Sequence, residues 1–163
     1  MTAGGMGSQP ALPASRRTQQ GCAERSSMTA MIPEGAPVET VRSIMEKDVF
    51  AARTVGCQIV EAAPGRGLCS MEVGPQHRNA MGNIMGGAIF TLADYALSIA
   101  ANYGSEPTMS ISCSIDFLSV SHGNVLYAEA ALDKVGRTVV FGSVDITDDT
   151  GKLVARMIAT CYK

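Results

Sequence analysis

Asn79-Ala-Met-Gly-Asn-Ile-Met-Gly-Gly-Ala-Ile-Phe-Thr-Leu-Ala-Asp94-Tyr-Ala-Leu-Ser-Ile-Ala-Ala-Asn102 is the stretch around which the chain is organised. From Gly86 to Ala101, apolar and small residues fall on nearly every side of a helical wheel, which predicts a helix enclosed by protein with no solvent face. One ionisable group, Asp94, lies inside that run. A carboxylate in apolar surroundings is costly unless it is paired or protonated, so Asp94 is either an internal hydrogen-bond anchor or a group kept for chemistry. The helix opens on Gly86-Gly87. Glycine admits close approach to the backbone, and the free N–H groups of a first turn lie at the positive end of the helix dipole. Such an end suits a carbonyl oxygen that gains negative charge during reaction. The same pair also suits tight packing of a helix on a sheet.

Asn79, Gly86-Gly87 and Thr91-Leu92-Ala93-Asp94, with offsets of seven and then eight from Asn79 to Gly86 to Asp94, resemble the hotdog-fold acyl-CoA thioesterases of the phenylacetate-pathway (PaaI-like) type. The resemblance extends over roughly Val38 to Tyr162. It implies that Asp94 activates water or attacks the thioester carbon, that the Gly86 N–H polarises the thioester carbonyl, and that Asn79 orients the reacting groups. Met85 stands where that family usually has histidine, which leaves the backbone donor in place and removes an imidazole from beside the thioester. Gly86 and Asp94 are eight residues apart, roughly 12 Å along one helix axis, and cannot both touch one thioester. If both act, Asp94 must come from one chain and Gly86 with Asn79 from another, so a twofold dimer would carry two composite sites. By resemblance, such dimers pair into tetramers.

The chain has 163 residues, 46% hydrophobic and 17% charged, enough for one domain with a sizeable core. A net charge of −2 gives no basic footprint for nucleic acid. Setting aside residues 1–33, with three arginines and one glutamate, leaves −4 for the remainder, so cations for a polyanionic CoA must be placed locally. The five cysteines, Cys22, Cys57, Cys69, Cys113 and Cys161, are odd in number and contain no C-x-x-C. They read as reduced, mostly buried thiols of a cytoplasmic protein, without a disulfide frame or a metal site. Residues 1–33 lack an apolar core segment and read as a disordered extension, with the folded domain at 34–163. The glycines, Asp94, Ser98 and Asn102 argue that the apolar run is a buried helix and not a membrane span.

From Pro37, the spacing of Val38, Val41, Ile44 and Met45 predicts a short amphipathic helix. Strands follow at Cys57–Ala62 and Leu68–Val73 around an Ala63-Pro64-Gly65-Arg66-Gly67 hairpin loop. His77 is either a surface loop residue or part of a pocket mouth. Beyond the Asn102-Tyr103-Gly104 stop, Met109, Ile111, Cys113, Ile115 and Phe117 alternate with Ser110, Ser112, Ser114 and Asp116, predicting a strand with one packed and one hydroxyl face. The resemblance gives Ser110 a hydrogen bond to the catalytic carboxylate. Strands at Asn124–Asp133, Thr138–Thr147 and Lys152–Tyr162 complete an antiparallel meander. Its turn at Lys134-Val135-Gly136-Arg137 brings two cations to a glycine and suits CoA phosphates, as the resemblance also implies, or is a solvated hairpin tip.

These elements predict an α+β hotdog fold, a curled antiparallel sheet around a central helix. The expected activity is hydrolysis of an acyl-CoA thioester without cofactor or metal. Asp94, Gly86, Asn79 and Ser110 form the catalytic set, and Met85, Gly87, Lys134, Gly136 and Arg137 contact substrate. With methionine at 85, the alternative is an acyl-CoA or acyl-carrier binding protein without turnover.

Overall fold

The structure is a computed structural model and describes residues 30–163. Two α-helices, α1 (Val38–Met45) and α2 (Gly86–Asn102), accompany six strands: β1 (Cys57–Ala63), β2 (Arg66–Glu72), β3 (Met109–Phe117), β4 (Val125–Val135), β5 (Val139–Asp148) and β6 (Leu153–Tyr162). The strands form one antiparallel sheet in the order β1-β2-β4-β5-β6-β3. β4, β5 and β6 are the expected meander, while β3 crosses to the far edge beside β6.

The sheet curls around α2 because its inner positions and the helix bury each other. Leu92, Ala93, Ala96, Leu97 and Ile99 of the helix are sealed, as are Leu126, Val140, Val144, Ile146 and Met157 of the strands. Small residues let the two layers approach. A Cβ added to Gly67 of β2 would stand 2.5 Å from the Ala96 carbonyl oxygen and 3.3 Å from the Ile99 Cβ. Neither neighbour is a flexible tip that can swing aside. Gly67→Ala is therefore expected to lower unfolding free energy by about 1–3 kcal/mol, the usual range for overpacking, which urea denaturation would measure.

The helix at Val38 begins just after Pro37, whose extended backbone (φ −64, ψ 154) makes it the capping residue and not part of the first turn. Between α1 and β1, where the sequence predicts no element, Phe50–Val55 forms a π-helical turn that ends on Gly56 at φ 77. Residues 1–29 of the expected disordered extension lie outside the described residues. Its last part is folded: Ile32 is 0% exposed, pairs with Tyr103, and donates its N–H to the Asn102 carbonyl at 3.3 Å. Gly104 returns an N–H to the Ile32 carbonyl at 2.8 Å. The strap is held by backbone pairing and by one apolar side chain, a signal too small to stand out in a polar segment.

β3 corrects the predicted alternation. Pairing with β6 runs Ser110↔Cys161 and then Ser112↔Thr160, so Ile111 is an extra residue, a β-bulge. One extra residue reverses which side chains face the core. Ser110 thus falls opposite buried Cys161, whereas Ser112 and Ser114 fall opposite half-buried Thr160 and exposed Ile158. As an edge strand, β3 also has no neighbour on its other side among the described residues. Beyond the bulge, Cys113 and Ile115 pack against the core as the alternation predicts, but Met109 is 72% exposed and Ile111 60%, so the start of the face expected to pack is left uncovered by the described residues.

Candidate active site

α2 is helical from Gly86 because nothing from Gly86 to Asn102 breaks it, and Met85 before it is extended at φ −69, ψ 132. The first internal bonds run from the Ala88 and Ile89 N–H groups to the Met85 carbonyl. The Gly86 and Gly87 N–H groups belong to the donors a helix start leaves over. The ring of Phe117 fills the space that a side chain at 86 would need, with its tip 2.9 Å from an added Cβ. Gly86 opens on a cavity of about 500 Å³ walled by Phe117, Leu118, Val120 and Ile89. Met85 is half-exposed, and its methyl group lies 3.7 Å from where a Gly87 Cβ would be.

The loop that delivers Gly86 is built on Asn79 and His77. Asn79 Oδ1 accepts the Met81 N–H at 3.0 Å and the Asn83 N–H at 3.1 Å, while the Asn79 N–H donates to the Asn83 carbonyl. The amide oxygen is committed to the loop, and what Asn79 has left to offer a ligand is the donor capacity of Nδ2. His77 is neither a surface loop histidine nor a pocket residue. It is buried, with Nδ1 accepting the Gly74 N–H at 2.9 Å, so Nε2 carries the proton and donates to the Val55 carbonyl at 2.8 Å. Its own carbonyl accepts the Met85 N–H at 2.7 Å, which fixes the approach to the helix.

Asp94 lies two turns into α2, half-buried, on a different cavity of about 470 Å³. Ser110 donates its hydroxyl to Asp94 Oδ1 at 3.2 Å, a contact the Ile111 bulge makes possible. Burial raises the Asp94 pKa above the ordinary 3.8; the Ser110 hydrogen bond pulls it back, and the nearby charge of Asp48 adds to the rise. Asp48, which sequence reasoning did not single out, lines the same cavity and accepts the Ala51 N–H on Oδ1 at 3.2 Å. Only the fold brings it to Asp94. Burial also pushes the Cys161 thiol, in the same cavity, up to about 11, so it is a poor nucleophile.

The 134–137 segment is not grouped with Gly86. Lys134 and Val135 belong to β4, and the turn is Gly136–Thr138, closed by the Gly136 N–H donating to the Val139 carbonyl at 2.9 Å. Lys134 and Arg137 are exposed. Val135 and Val140 beside the turn share a cavity with Tyr103 and Lys163 at the C-terminal end of α2, the opposite end from Gly86. A second unforeseen group is Asp148, whose carboxylate accepts bonds from the Thr150 and Ser121 hydroxyls and from the Thr150 and Lys152 N–H groups. Led by the Thr150 hydroxyl, these bonds hold its pKa down to about 2. Through Ser121 it secures the segment that walls the Gly86 cavity.

Known proteins share this fold. The Thioesterase superfamily profile matches residues 81–155. Human acyl-coenzyme A thioesterase 13 is 35% identical over 102 residues, covering 60% of this chain and 73% of that protein. The chain belongs to the PaaI-like hotdog thioesterases. This thioesterase also superposes on the PaaI protein of the Escherichia coli phenylacetic acid operon with a TM-score of 0.70 at 25% identity, covering 74% of this chain and 88% of that one. Mouse thioesterase superfamily member 2 gives a TM-score of 0.70 at 30% identity, covering 78% and 98%. Among the thioesterase's described residues, no helix is long and apolar enough to cross a membrane.

Proposed function

We propose that the protein hydrolyses acyl-CoA thioesters to the free acid and CoA, at sites shared between two subunits. The observation that carries this reading is Asp94: a carboxylate on a buried helix, open to a cavity, held by Ser110 and driven towards the protonated form by burial. A pKa above the ordinary 3.8 makes its ionised form a stronger base than an ordinary aspartate. Asp94 takes a proton from water, and the hydroxide oxygen bonds to the thioester carbon. The Gly86 N–H of the partner subunit stabilises the oxyanion. Collapse breaks the C–S bond, and the CoA thiolate leaves and is protonated. Direct attack by the carboxylate, with hydrolysis of the resulting anhydride, gives the same products.

Within one chain, Gly86 and Asp94 open on separate cavities, which supports a second chain completing each site. The edge of β3, unpaired among the described residues, and its exposed apolar side chains supply a surface for that chain. The Asn79 amide donors orient the thioester, Met85 and Gly87 line the mouth, and Lys134, Gly136 and Arg137 receive CoA phosphates. Exposed Phe141 and Ile158 on the outer sheet face suit pairing of dimers into a tetramer.

The test is release of CoA thiol from short, medium and aromatic acyl-CoAs by the purified chain. Turnover is expected, and tight binding without release would make the protein a carrier. The acid limb of kcat/KM reports the Asp94 pKa. Ser110→Ala removes a bond to the ionised form, so the pKa rises and the limb moves to higher pH. Asp48→Asn removes a like charge, so the limb moves to lower pH.

A further inference from the structure

The Asp94 cavity continues past the carboxylate. Asp94, Leu97, Ser98, Ala101 and Asn102 recur at intervals of three and four along α2, and all of them line it. The cavity therefore follows one face of the helix for two turns, roughly 12 Å from Asp94 to Asn102. Ile44 and Met45 of α1 and Met109 of β3 complete its walls. The charged lining residues other than Asp94, Lys47 and Asp48, are both exposed, and the influence of Asp48 on Asp94 places its charge towards the carboxylate end.

The polar groups deeper along the stripe are satisfied within the protein. Ser98 Oγ donates to the Tyr95 carbonyl at 2.8 Å. Asn102 Nδ2 donates to the Ser98 and Thr108 carbonyls, and Asn102 Oδ1 accepts the Thr108 N–H at 2.8 Å. A channel with its polar groups paired in this way offers a ligand mainly apolar contact, and methionines on its walls adapt to flexible chains. At the Asn102 end lies the strap. Buried Ile32 is tied by backbone bonds to Asn102 and Gly104, and Met31 beside it lines the channel.

We propose that this channel takes the aliphatic acyl tail of the substrate, and that the tail ends on Met31. The inference rests on the proposed hydrolysis for its choice of ligand. It makes the substrate a medium-chain acyl-CoA, whose carbonyl lies at Asp94, and it makes the strap ahead of α1 the part of the chain that sets acyl length. The CoA portion stays outside the channel, with the solvent-exposed cations.

The experiment measures affinities of the full chain for non-cleavable S-alkyl-CoA thioethers, from ethyl to hexadecyl, by titration calorimetry. Affinity is expected to rise by roughly fourfold for each methylene taken out of water, then to level where the chain reaches Met31. Met31→Ala should move that break to longer chains and Met31→Trp to shorter ones. A general loss of folding cannot shift the break in opposite directions. A break at the same length in all three proteins, or no rise with length, overturns the assignment. Parallel assays with the corresponding acyl-CoAs keep the two readings apart. Opposite shifts in thioether binding without any thioester cleavage would sustain the channel and sink hydrolysis, whereas cleavage with an unmoved break would sink the channel alone.

Discussion

Asp94→Asn is expected to lower kcat by about 10²–10⁴-fold, the range for removing a positioned general base, without lowering the melting temperature. The amide is close to the carboxylate in shape, and its Oδ1 can still accept the Ser110 hydroxyl. What disappears is the ability to take a proton from water. The stability half of the expectation follows from the direction of the pKa shift. Burial raises the folded-state pKa of Asp94 above the ordinary value. At any pH above the unfolded pKa, the unfolded chain ionises the group more readily than the folded one, so the charge opposes folding there. At neutral pH the neutral amide relieves that opposition, and thermal unfolding should show an unchanged or higher transition. Calorimetry and CoA release on the same preparation decide the matter. Undiminished turnover would place the base elsewhere. A melting temperature lower by many degrees would make Asp94 the internal anchor that its sequence position equally allowed.

The helix that carries Asp94 was legible because seventeen residues from Gly86 to Asn102 contain no proline and no polar face. Asp94 stood out by contrast with that run, although its role, and those of Gly86 and Asn79, came from resemblance. Strands showed through period two, except where one residue changed the count. Ile111 looks like any other member of the β3 alternation, and only its pairing with β6 reveals that it bulges and turns Ser110 inward. Exposure of Met109 and Ile111 is likewise a property of the strand order, which places β3 at an edge. His77 was misjudged because its burial depends on the Val55 carbonyl, twenty-two residues upstream, at the end of a π-helical turn with no sequence signature. Asp48 and Met31 belong to the same class, since each reaches the Asp94 cavity from a segment distant in sequence from α2. Periodicity reports what one element does with its own faces. Which segments then meet is set by tertiary packing.

Gly86→Pro should lower kcat by about 10²–10³-fold, the effect of deleting one oxyanion donor, while leaving α2 in place. Proline is tolerated at the first helical position because its missing N–H has no acceptor there. The residue before it must be extended, and Met85 at φ −69, ψ 132 already is. The added ring atoms press on the tip of Phe117, 2.9 Å from a Cβ at this position, and that half-exposed side chain has room to swing. Paired with Asp94→Asn, this substitution tests where each site's two halves come from. If Asp94 and Gly86 of one chain serve different sites, a mixed dimer regains one intact site, with Asp94 from the Gly86→Pro chain and Gly86 from the Asp94→Asn chain. Its other site carries both lesions. Random exchange of equal amounts makes half the dimers mixed, so two nearly inactive proteins should together recover about a quarter of wild-type turnover. The recovery should appear only after subunit exchange and not on simple mixing at low temperature. If the thioester is instead cleaved by groups of a single chain, exchange restores nothing, because every chain in the mixture still lacks one of the two.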